Sequence, residues 1–407
     1  MATKQRAMKN ASDPSRKSFE RLIPTFGEIT RDVPQAVQCM LWGRSAGRCE
    51  FAGCNEVLWK SPVTQEQVNT AQKAHIYSFS NIGPRGNNGI PRKHLNDLQN
   101  LMLVCHRCHR KLDQERDGGR YKVRLLQQMK AEHEQRVELV TGISPDKKSH
   151  VLLYGANVGE HSSPLNYREA APALFPDRYP ATDHPIELST HKSSFSDRDE
   201  EFWIMEAENL CRKFDRQVRE RLATGDIRHL SVFSIAPQPL LILLGTLLGD
   251  IVPADVYQRH RELQTWDWPL AKSFPGFTVT TPPATSGAPA LVLALSGTIA
   301  PERVNSVLGL DASIWTVTVA TPHNDLTKSR DQLSQFRGLM RSVLDRIKAV
   351  HGQPTVLHVF PAASISIAIE LGRIRMPKAE MPWQIYDQVN ALGGFVPAIR
   401  LPHGEKK

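Results

Sequence analysis

The 407-residue sequence contains no long hydrophobic run. A membrane-spanning helix needs about 18 or more consecutive apolar residues, and the most apolar segment, 239–248, is too short. The N-terminal residues are basic and polar, without the apolar core of a secretory signal peptide. The sequence therefore predicts a cytoplasmic protein without a membrane partner.

The sequence also lacks the glycine-rich fingerprints of common nucleotide enzymes. Neither G-x-G-x-x-G nor G-x-x-x-x-G-K-[ST] occurs, which excludes an ordinary dinucleotide site and a P-loop. Residues 150–407 hold no catalytic cluster, but strand-like runs alternate there with helical stretches. This alternation predicts an α/β domain with a mainly parallel sheet. The predicted strands are 151–154, 230–235, 291–295, 315–319 and 356–360, and the predicted helices are 200–222, 239–248, 330–350 and 364–371.

An excess of positive charge is absent from most of the chain. Residues 1–150 hold 25 basic and 15 acidic residues, whereas residues 151–407 hold 26 basic and 27 acidic residues. Such an asymmetry indicates a polyanion partner for the first third, most simply nucleic acid. A generic basic surface is the alternative.

Cysteine is scarce, with six residues in the whole chain. Four of them form two tight pairs, Cys49-x4-Cys54 and Cys105-x2-Cys108. In a reducing compartment such spacings are typical of zinc sites, because two pairs of thiolates complete a tetrahedron. Four unlinked core cysteines are the alternative. Cys39 and Cys211 have no such partner and are predicted to be ordinary buried thiols.

The cysteine pairs flank a second motif. His75 lies at the end of a predicted strand, and Asn100 and His109 enclose the run N-L-x-L-x-C-x-x-C-H. Over about residues 45–135 this pattern resembles the HNH endonuclease family. The resemblance implies a zinc-braced fold of two strands and a helix around a catalytic metal. It also implies that His75 is the general base, that Asn100 orients its imidazole, and that His109 binds Mg²⁺ or Mn²⁺.

One position departs from that pattern. Many HNH motifs carry an acidic metal ligand just before the first histidine, where this sequence has Ala74. Asp113, one helical turn after His109, is a candidate replacement, and Asn100 or Asp97 could also contribute. A solvated helix carboxylate is the alternative for Asp113. The basic residues predicted to contact phosphates are Arg85, Arg92, Lys93, Arg107, Arg110 and Lys111.

The second half carries a series of signature-like segments at 236–245, 256–261, 266–268, 358–364 and 371–378. In this order they resemble the SAVED domain, a sensor of cyclic oligonucleotides similar to two fused CARF, or Rossmann-like, modules. Aromatic rings stack on bases and cations pair with phosphates, and the turn 361–364 opens a helix whose N–H groups suit a phosphate. The predicted ligand residues are Tyr257, Arg261, Trp266, Trp268, Pro361, Ser364 and Lys378. Core packing of the aromatic residues is the alternative.

Together the two motifs resemble the HNH–SAVED effectors of bacterial CBASS antiphage systems. The resemblance implies that a cyclic dinucleotide, of the 3′,2′-cGAMP type, binds the SAVED domain. It further implies a dimer at rest, larger oligomers on activation, and sequence-nonspecific cleavage of double-stranded DNA. The expected domains are a basic arm at 1–35, the HNH domain at 36–145 and the SAVED domain at 146–407.

Three other functions remain open on the sequence. The first is a restriction-type endonuclease whose second half recognises DNA, although a net charge of about −1 in that half disfavours DNA binding. The second is a non-catalytic DNA-binding sensor, which Ala74 keeps open. The third is an RNA-cleaving effector.

Overall fold

The computed structural model describes residues 31–87, 90–114, 119–158, 165–189, 197–269, 274, 276–389 and 394–403. The predicted basic arm, 1–35, lies outside the described residues except for its last five. The chain divides between Gly142 and Ile143 into two compact units. The predicted domain boundary lies three residues further along.

The first unit is built on a two-stranded antiparallel hairpin. His75 at the end of the first strand pairs with Leu101 at the start of the second. Two short 3-10 turns, Arg92–His94 and Leu98–Asn100, precede the second strand. The regular elements are α1 (Gln35–Arg44), β1 (Ala71–His75), β2 (Leu101–Cys105), α2 (His106–Leu112) and α3 (Val123–Thr141).

Strand β2 carries the core of this unit. All five of its residues are buried, as expected for the apolar run L-M-L-V-C with both faces covered. Leu41 from α1 and Leu126 from α3 belong to the same apolar cluster. Strand β2 ends at Cys105, whose sulfur accepts a hydrogen bond from the N–H of Cys108 and so caps α2. The helix therefore begins directly at the end of a buried strand.

The second unit contains two sheets, each with a parallel centre. The first sheet has the order β4-β3-β6-β7, with β5 beside β3, and all of its pairs are parallel. Its strands are β3 (Lys148–Gly155), β4 (Tyr179–Pro180), β5 (Ile186–Glu187), β6 (Leu230–Ile235) and β7 (Ala254–Val256). Its helices are α4 (Tyr167–Ala170), α5 (Glu200–Phe214), α6 (Glu220–Ala223) and α7 (Gln238–Leu248), with a π turn at Asp215–Arg219 between α5 and α6.

The second sheet has the order β13-β12-β11-β9-β10-β8. The four central strands are parallel, and the two edge strands run antiparallel to their neighbours. Its strands are β8 (Thr278–Thr280), β9 (Pro289–Ala294), β10 (Ser313–Thr318), β11 (Leu357–Ala362), β12 (Trp383–Val389) and β13 (Gly394–Leu401). Its helices are α8 (Pro301–Leu308), α9 (Arg330–His351) and α10 (Ile365–Ile374).

Two equivalent helices join the sheets. Helix α7 follows β6 of the first sheet, and α10 follows β11 of the second. They cross at Gly245 and Gly372, where an added Cβ on either glycine would collide with a backbone oxygen of the other helix. Only glycine allows backbones to approach this closely. The second unit is therefore a pair of α/β modules locked together at one helix crossing.

The parallel α/β prediction for the second half is confirmed. All five predicted strands lie within or overlap β3, β6, β9, β10 and β11, and the helix predicted at 200–222 is present with a π turn inside it. The sequence analysis missed the strands of two or three residues, because their apolar runs are short. It also missed β12 and β13, because polar residues or proline interrupt their apolar runs. None of the described helices combines the length and hydropathy needed to cross a membrane.

Candidate functional site

The four paired cysteines meet in the first unit. Their sulfur atoms all lie within 4.8 Å of one another, and Sγ of Cys54 is 3.9 Å from Sγ of Cys105. Tetrahedral zinc with Zn–S bonds of about 2.3 Å separates its sulfurs by about 3.8 Å. The backbone N–H of Cys105 also donates to Sγ of Cys49, at 3.3 Å. The cluster is therefore compatible with zinc. Outside it, Cys39 is exposed and Cys211 is partly buried, so the prediction that Cys39 is a buried thiol is wrong.

The burial of the cluster adds a chemical reason for a cation. Removal from water raises the pKa of the Cys49 thiol to about 12 and also raises that of Cys108. These two thiols are accordingly poor thiolates by themselves, whereas a bound dication stabilises the thiolate form. Because Cys105 ends β2 and Cys108 lies in the first turn of α2, a metal here holds the strand and the helix in one orientation.

His75 lies at the end of β1, beside the start of β2. Its Nε2 atom is 3.0 Å from Oδ1 of Asn96, and its ring meets the edge of Phe79 at a centroid distance of 5.7 Å. Desolvation is the largest influence on the imidazole and lowers its pKa, with the hydrogen bond to Asn96 acting in the opposite direction. The ring is thus held neutral and in a defined orientation.

The side-chain hydrogen bonds of Asn100 within the described residues go to backbone groups rather than to His75. Its Oδ1 accepts from the N–H of Tyr77 at 2.7 Å, and its Nδ2 donates to the backbone oxygens of Leu95 and Tyr77 at 2.8 and 3.2 Å. These bonds tie the segment after β1 to the turn before β2. The expectation that Asn100 orients the imidazole is therefore corrected: Asn100 fastens the backbone, and Asn96 is the amide that touches the histidine.

His109 and Asp113 face the same place from α2. Nδ1 of His109 is 3.5 Å from Oδ2 of Asp113, and both side chains are partly exposed. Both also act electrostatically on His75, His109 by lowering its pKa and Asp113 by raising it. His109 is thus paired with the carboxylate that the sequence offers in place of the acidic group missing at Ala74. That these residues share a metal with one another stays a prediction.

Arg85 holds this arrangement together. Its guanidinium is only 3% exposed and donates to the backbone oxygens of Ile76, His75 and Leu112, at 2.8, 3.2 and 2.8 Å. Its Nη2 also lies 3.4 Å from Oδ1 of Asp113. The prediction that Arg85 contacts phosphate is corrected, because its donors already bridge the end of β1 to the end of α2.

The remaining predicted phosphate contacts lie on the surface. Arg107 is paired with Glu56 at 3.2 Å, and Asp97 is paired with His94 at 2.6 Å. The carboxylate of Asp97 therefore already has a cationic partner. The exposed basic residues of the predicted set are Arg92, Lys93, Arg107, Arg110 and Lys111.

In the second unit, two predicted ligand residues are buried. The Tyr257 ring is fully buried and stacks on Phe233 at 4.4 Å, and Trp266 meets the edge of Phe233 at 5.1 Å. The Tyr257 hydroxyl accepts from Nη2 of Arg330 at 3.1 Å, and burial raises its pKa to about 12. Both rings pack in a core here, which is the alternative that the sequence left open, and ligand binding by them stays a prediction.

The other predicted ligand residues differ in their exposure to solvent. Arg261 and Lys378 are exposed, Trp268 is half-buried, and Pro361 is buried within β11. Ser364 is buried at the start of α10, with its hydroxyl 2.7 Å from that of Thr327. Their roles in binding also stay predictions.

Two glutamines that the sequence analysis missed cap the helix at this turn. Oε1 of Gln238 accepts from the N–H of Ala363 at 3.0 Å. Oε1 of Gln258 accepts from the N–H of Ser366 at 3.1 Å and from its hydroxyl at 2.8 Å. In this state the amide groups of glutamine occupy N–H groups that were expected to meet a phosphate. Nothing in their local sequence distinguishes them from surface glutamines.

The second unit also contains a charged cavity of about 280 Å³. Glu370 is buried there and is bound by Nη1 of Arg337 and Nη1 of Arg373, at 3.1 and 3.0 Å. Arg373 also donates to the backbone oxygens of Gly249, Val252 and Ala254. Arg337 therefore connects α9 to Glu370 of α10, and Arg373 connects α10 to the segment that leads into β7.

A known family model matches part of the second unit. Residues 210–401 match the family model described as "SMODS-associated and fused to various effectors sensor domain", SAVED. No curated protein matches the sequence.

The comparison with solved structures found SAVED/CARF-domain receptors. A Cap4 receptor of Acinetobacter baumannii with the cyclic trinucleotide 2'3'3'-cAAA has a TM-score of 0.38 and 15% identity, over 69% of this chain and 56% of that chain. A Cap4 receptor of Moraxella osloensis has a TM-score of 0.36 and 14% identity, over 69% of this chain and 60% of that chain. The chain thus spans less than two thirds of the length of either receptor.

Proposed function

We propose that this protein is a metal-dependent DNA endonuclease of antiphage defence, controlled by a cyclic nucleotide that binds its SAVED domain. The observation that supports the nuclease part is the arrangement around Arg85, which binds the backbone oxygen of His75 and the carboxylate of Asp113, while that carboxylate pairs with His109, one residue after the cluster cysteine Cys108. A zinc-binding fold without catalysis would have no need of a half-buried histidine whose imidazole is held by a buried amide.

The residues of this site suit phosphodiester hydrolysis. A neutral imidazole can take a proton from water, and His75 is neutral because burial lowers its pKa. His109 and Asp113 offer one nitrogen and two oxygens, a donor set that fits Mg²⁺ or Mn²⁺. A bound metal would supply charge stabilisation to the phosphate. Arg85 binds both the carboxylate of Asp113 and the backbone oxygen of His75, and so fixes the position of that carboxylate relative to the end of β1.

The substrate proposal rests on charge. The first 150 residues carry the positive excess of the chain, and the exposed cations around α2 provide contacts to phosphates without base recognition. Double-stranded DNA cut without sequence preference is the substrate class that this pattern favours.

Control by the SAVED domain follows from the need to protect the host chromosome. A ligand switches a population from 1:99 to 99:1 only with about 5.5 kcal/mol of differential affinity, which two stacked bases and two paired phosphates could supply. We propose a cyclic dinucleotide of the 3′,2′-cGAMP type as activator. Its binding would convert a resting dimer into larger oligomers.

The test is digestion of plasmid DNA in Mg²⁺, with a panel of cyclic dinucleotides and trinucleotides and with His75→Ala as control. Cleavage that needs one ligand and is absent in the variant supports the proposal. Cleavage without any ligand indicates a restriction-type enzyme and contradicts it. Absence of cleavage under every condition, from a protein that binds a panel member tightly, contradicts the nuclease part. Light scattering with the same ligand tests the assembly step.

A further inference from the structure

The side chain of Asn96 is buried and hydrogen-bonds to groups in two separate segments of the chain. Asn96 is only 7% exposed. On one side its Oδ1 lies 3.0 Å from Nε2 of His75, and on the other its Nδ2 donates to the backbone oxygen of Asp32 at 3.3 Å. The amide thus bridges the imidazole to a second segment of the chain.

The orientation of this amide follows from chemistry. A backbone oxygen can only accept a hydrogen bond, so the amide nitrogen of Asn96 must face Asp32. The amide oxygen then faces His75, and because that oxygen can only accept, Nε2 must carry the hydrogen. In a neutral imidazole the other nitrogen, Nδ1, is left with the lone pair.

We infer that Asn96 is the positioning residue of this site, which holds His75 as the Nε2–H tautomer and makes Nδ1 the atom that accepts a proton. The catalytic part of this inference rests on the proposed nuclease function, whereas the tautomer does not. In the described part of the chain, Nδ1 makes no hydrogen bond that would compete. The edge-on contact with Phe79 restrains rotation of the ring.

The proton transfer then has a definite course. The water oxygen forms a bond to phosphorus while one of its protons moves to Nδ1 of His75. The bond from phosphorus to the leaving oxygen breaks, and that oxygen takes a proton from solvent. The resulting imidazolium keeps its Nε2–H bond to Asn96, so the amide oxygen stabilises the charge that develops on the ring.

The tautomer can be measured directly. Long-range ¹H–¹⁵N spectra of the full chain labelled in histidine report which ring nitrogen is protonated, and His75→Ala assigns the signal. The Nε2–H pattern is expected in the wild type and in Asn96→Asp, which keeps an acceptor, but not as a single form in Asn96→Ala. An Nδ1–H pattern in the wild type, or an unchanged pattern in Asn96→Ala, overturns the inference.

Activity provides the second readout. With the activating nucleotide, Asn96→Ala should lower kcat about 100-fold, the smaller end of general-base contributions, with little change in KM or zinc content. Asn96→Asp should recover at least about tenfold of that loss. Asn69→Ala, which removes an exposed amide that accepts from the N–H of Ala71, is the matched control and should match the wild type.

The outcomes separate the two claims. Equal loss of activity in Asn96→Ala and Asn96→Asp, with the same tautomer in both, overturns the positioning role. A wild type that never cleaves DNA overturns the proposed function, while the spectra still decide whether Asn96 sets the tautomer.

Discussion

The two units use buried polar groups in opposite ways. In the first unit, Asn96 and Arg85 bind groups around His75 and leave Nδ1 of that histidine without a hydrogen bond in the described chain. In the second unit, Gln258 accepts from the N–H of Ser366 at a helix start, and Arg373 donates to backbone oxygens before and at the start of β7. The first arrangement orients the imidazole of His75, and the second stabilises the fold by binding buried backbone groups.

The two uses of a buried polar group can be distinguished by measuring activity and stability after its removal. A polar group that prepares a reactive atom should cost activity when it is removed, with little change in stability. A polar group that satisfies buried backbone should cost stability. The predictions below test each side, in order of decreasing effect.

Removal of zinc should have the largest effect. Structural zinc contributes about 10–16 kcal/mol in small zinc domains, and here the four cysteines connect β2 to α2. Chelation, or Cys54→Ser, should abolish protection of β1, β2 and α2 in hydrogen-exchange mass spectrometry, while β9 and β11 stay protected. Cys39→Ser, which changes an exposed thiol outside the cluster, is the control. Full protection of β2 in the metal-free protein would contradict the zinc site.

Removal of the proposed general base should have the second-largest effect. His75→Ala is expected to lower messenger-dependent cleavage by about 10²–10⁴-fold, the range of general acid–base catalysis. Melting temperature, zinc content and DNA affinity should change little, since the imidazole makes one side-chain hydrogen bond in the described chain. His94→Ala is the control, because His94 pairs with Asp97 on the surface. Wild-type activity in His75→Ala would show that another residue accepts the proton.

Arg373→Met tests the opposite side of the comparison. The substitution leaves three backbone oxygens without their donor and deprives buried Glu370 of one of its two arginines. Breaking a buried ion pair from one side costs about 3–5 kcal/mol, which urea unfolding measures. Arg341→Met, an exposed residue of α9 that lines the same cavity, should stay near wild type. A loss no larger than that of the control would show that Arg373 is dispensable for the fold.

Gln258→Ala should give the smallest effect. It leaves the N–H and the hydroxyl of buried Ser366 without their acceptor, and unsatisfied buried groups cost about 1–3 kcal/mol each. The expected result is a lower melting temperature with DNA cleavage at saturating messenger retained. Gln335→Ala, at an exposed position of α9, is the control. If cleavage fell instead while stability held, Gln258 would belong to the ligand site.

Local sequence was sufficient to predict many of the strands and helices. The strand at 230–235 is predicted to the residue, because the segment L-S-V-F-S-I is rich in apolar side chains and Pro237 follows shortly after it. The cysteine spacing predicts which four thiols meet. The sequence missed Asn96 as the partner of His75, since 21 residues separate them and a turn between two strands decides the contact. It also treated Arg85 as a surface cation, although the chain buries that guanidinium.

The amino-acid sequence by itself determined many of the longer strands and helices, the parallel α/β class of the second half and the chemistry present in the first. These depend on apolar periodicity and on side-chain type, both of which are local. Only the tertiary structure decided which amide touches the histidine, which arginine is buried, and which aromatic rings are core. Those outcomes depend on satisfying buried hydrogen-bonding groups from distant segments, and that requirement appears only when the chain is folded.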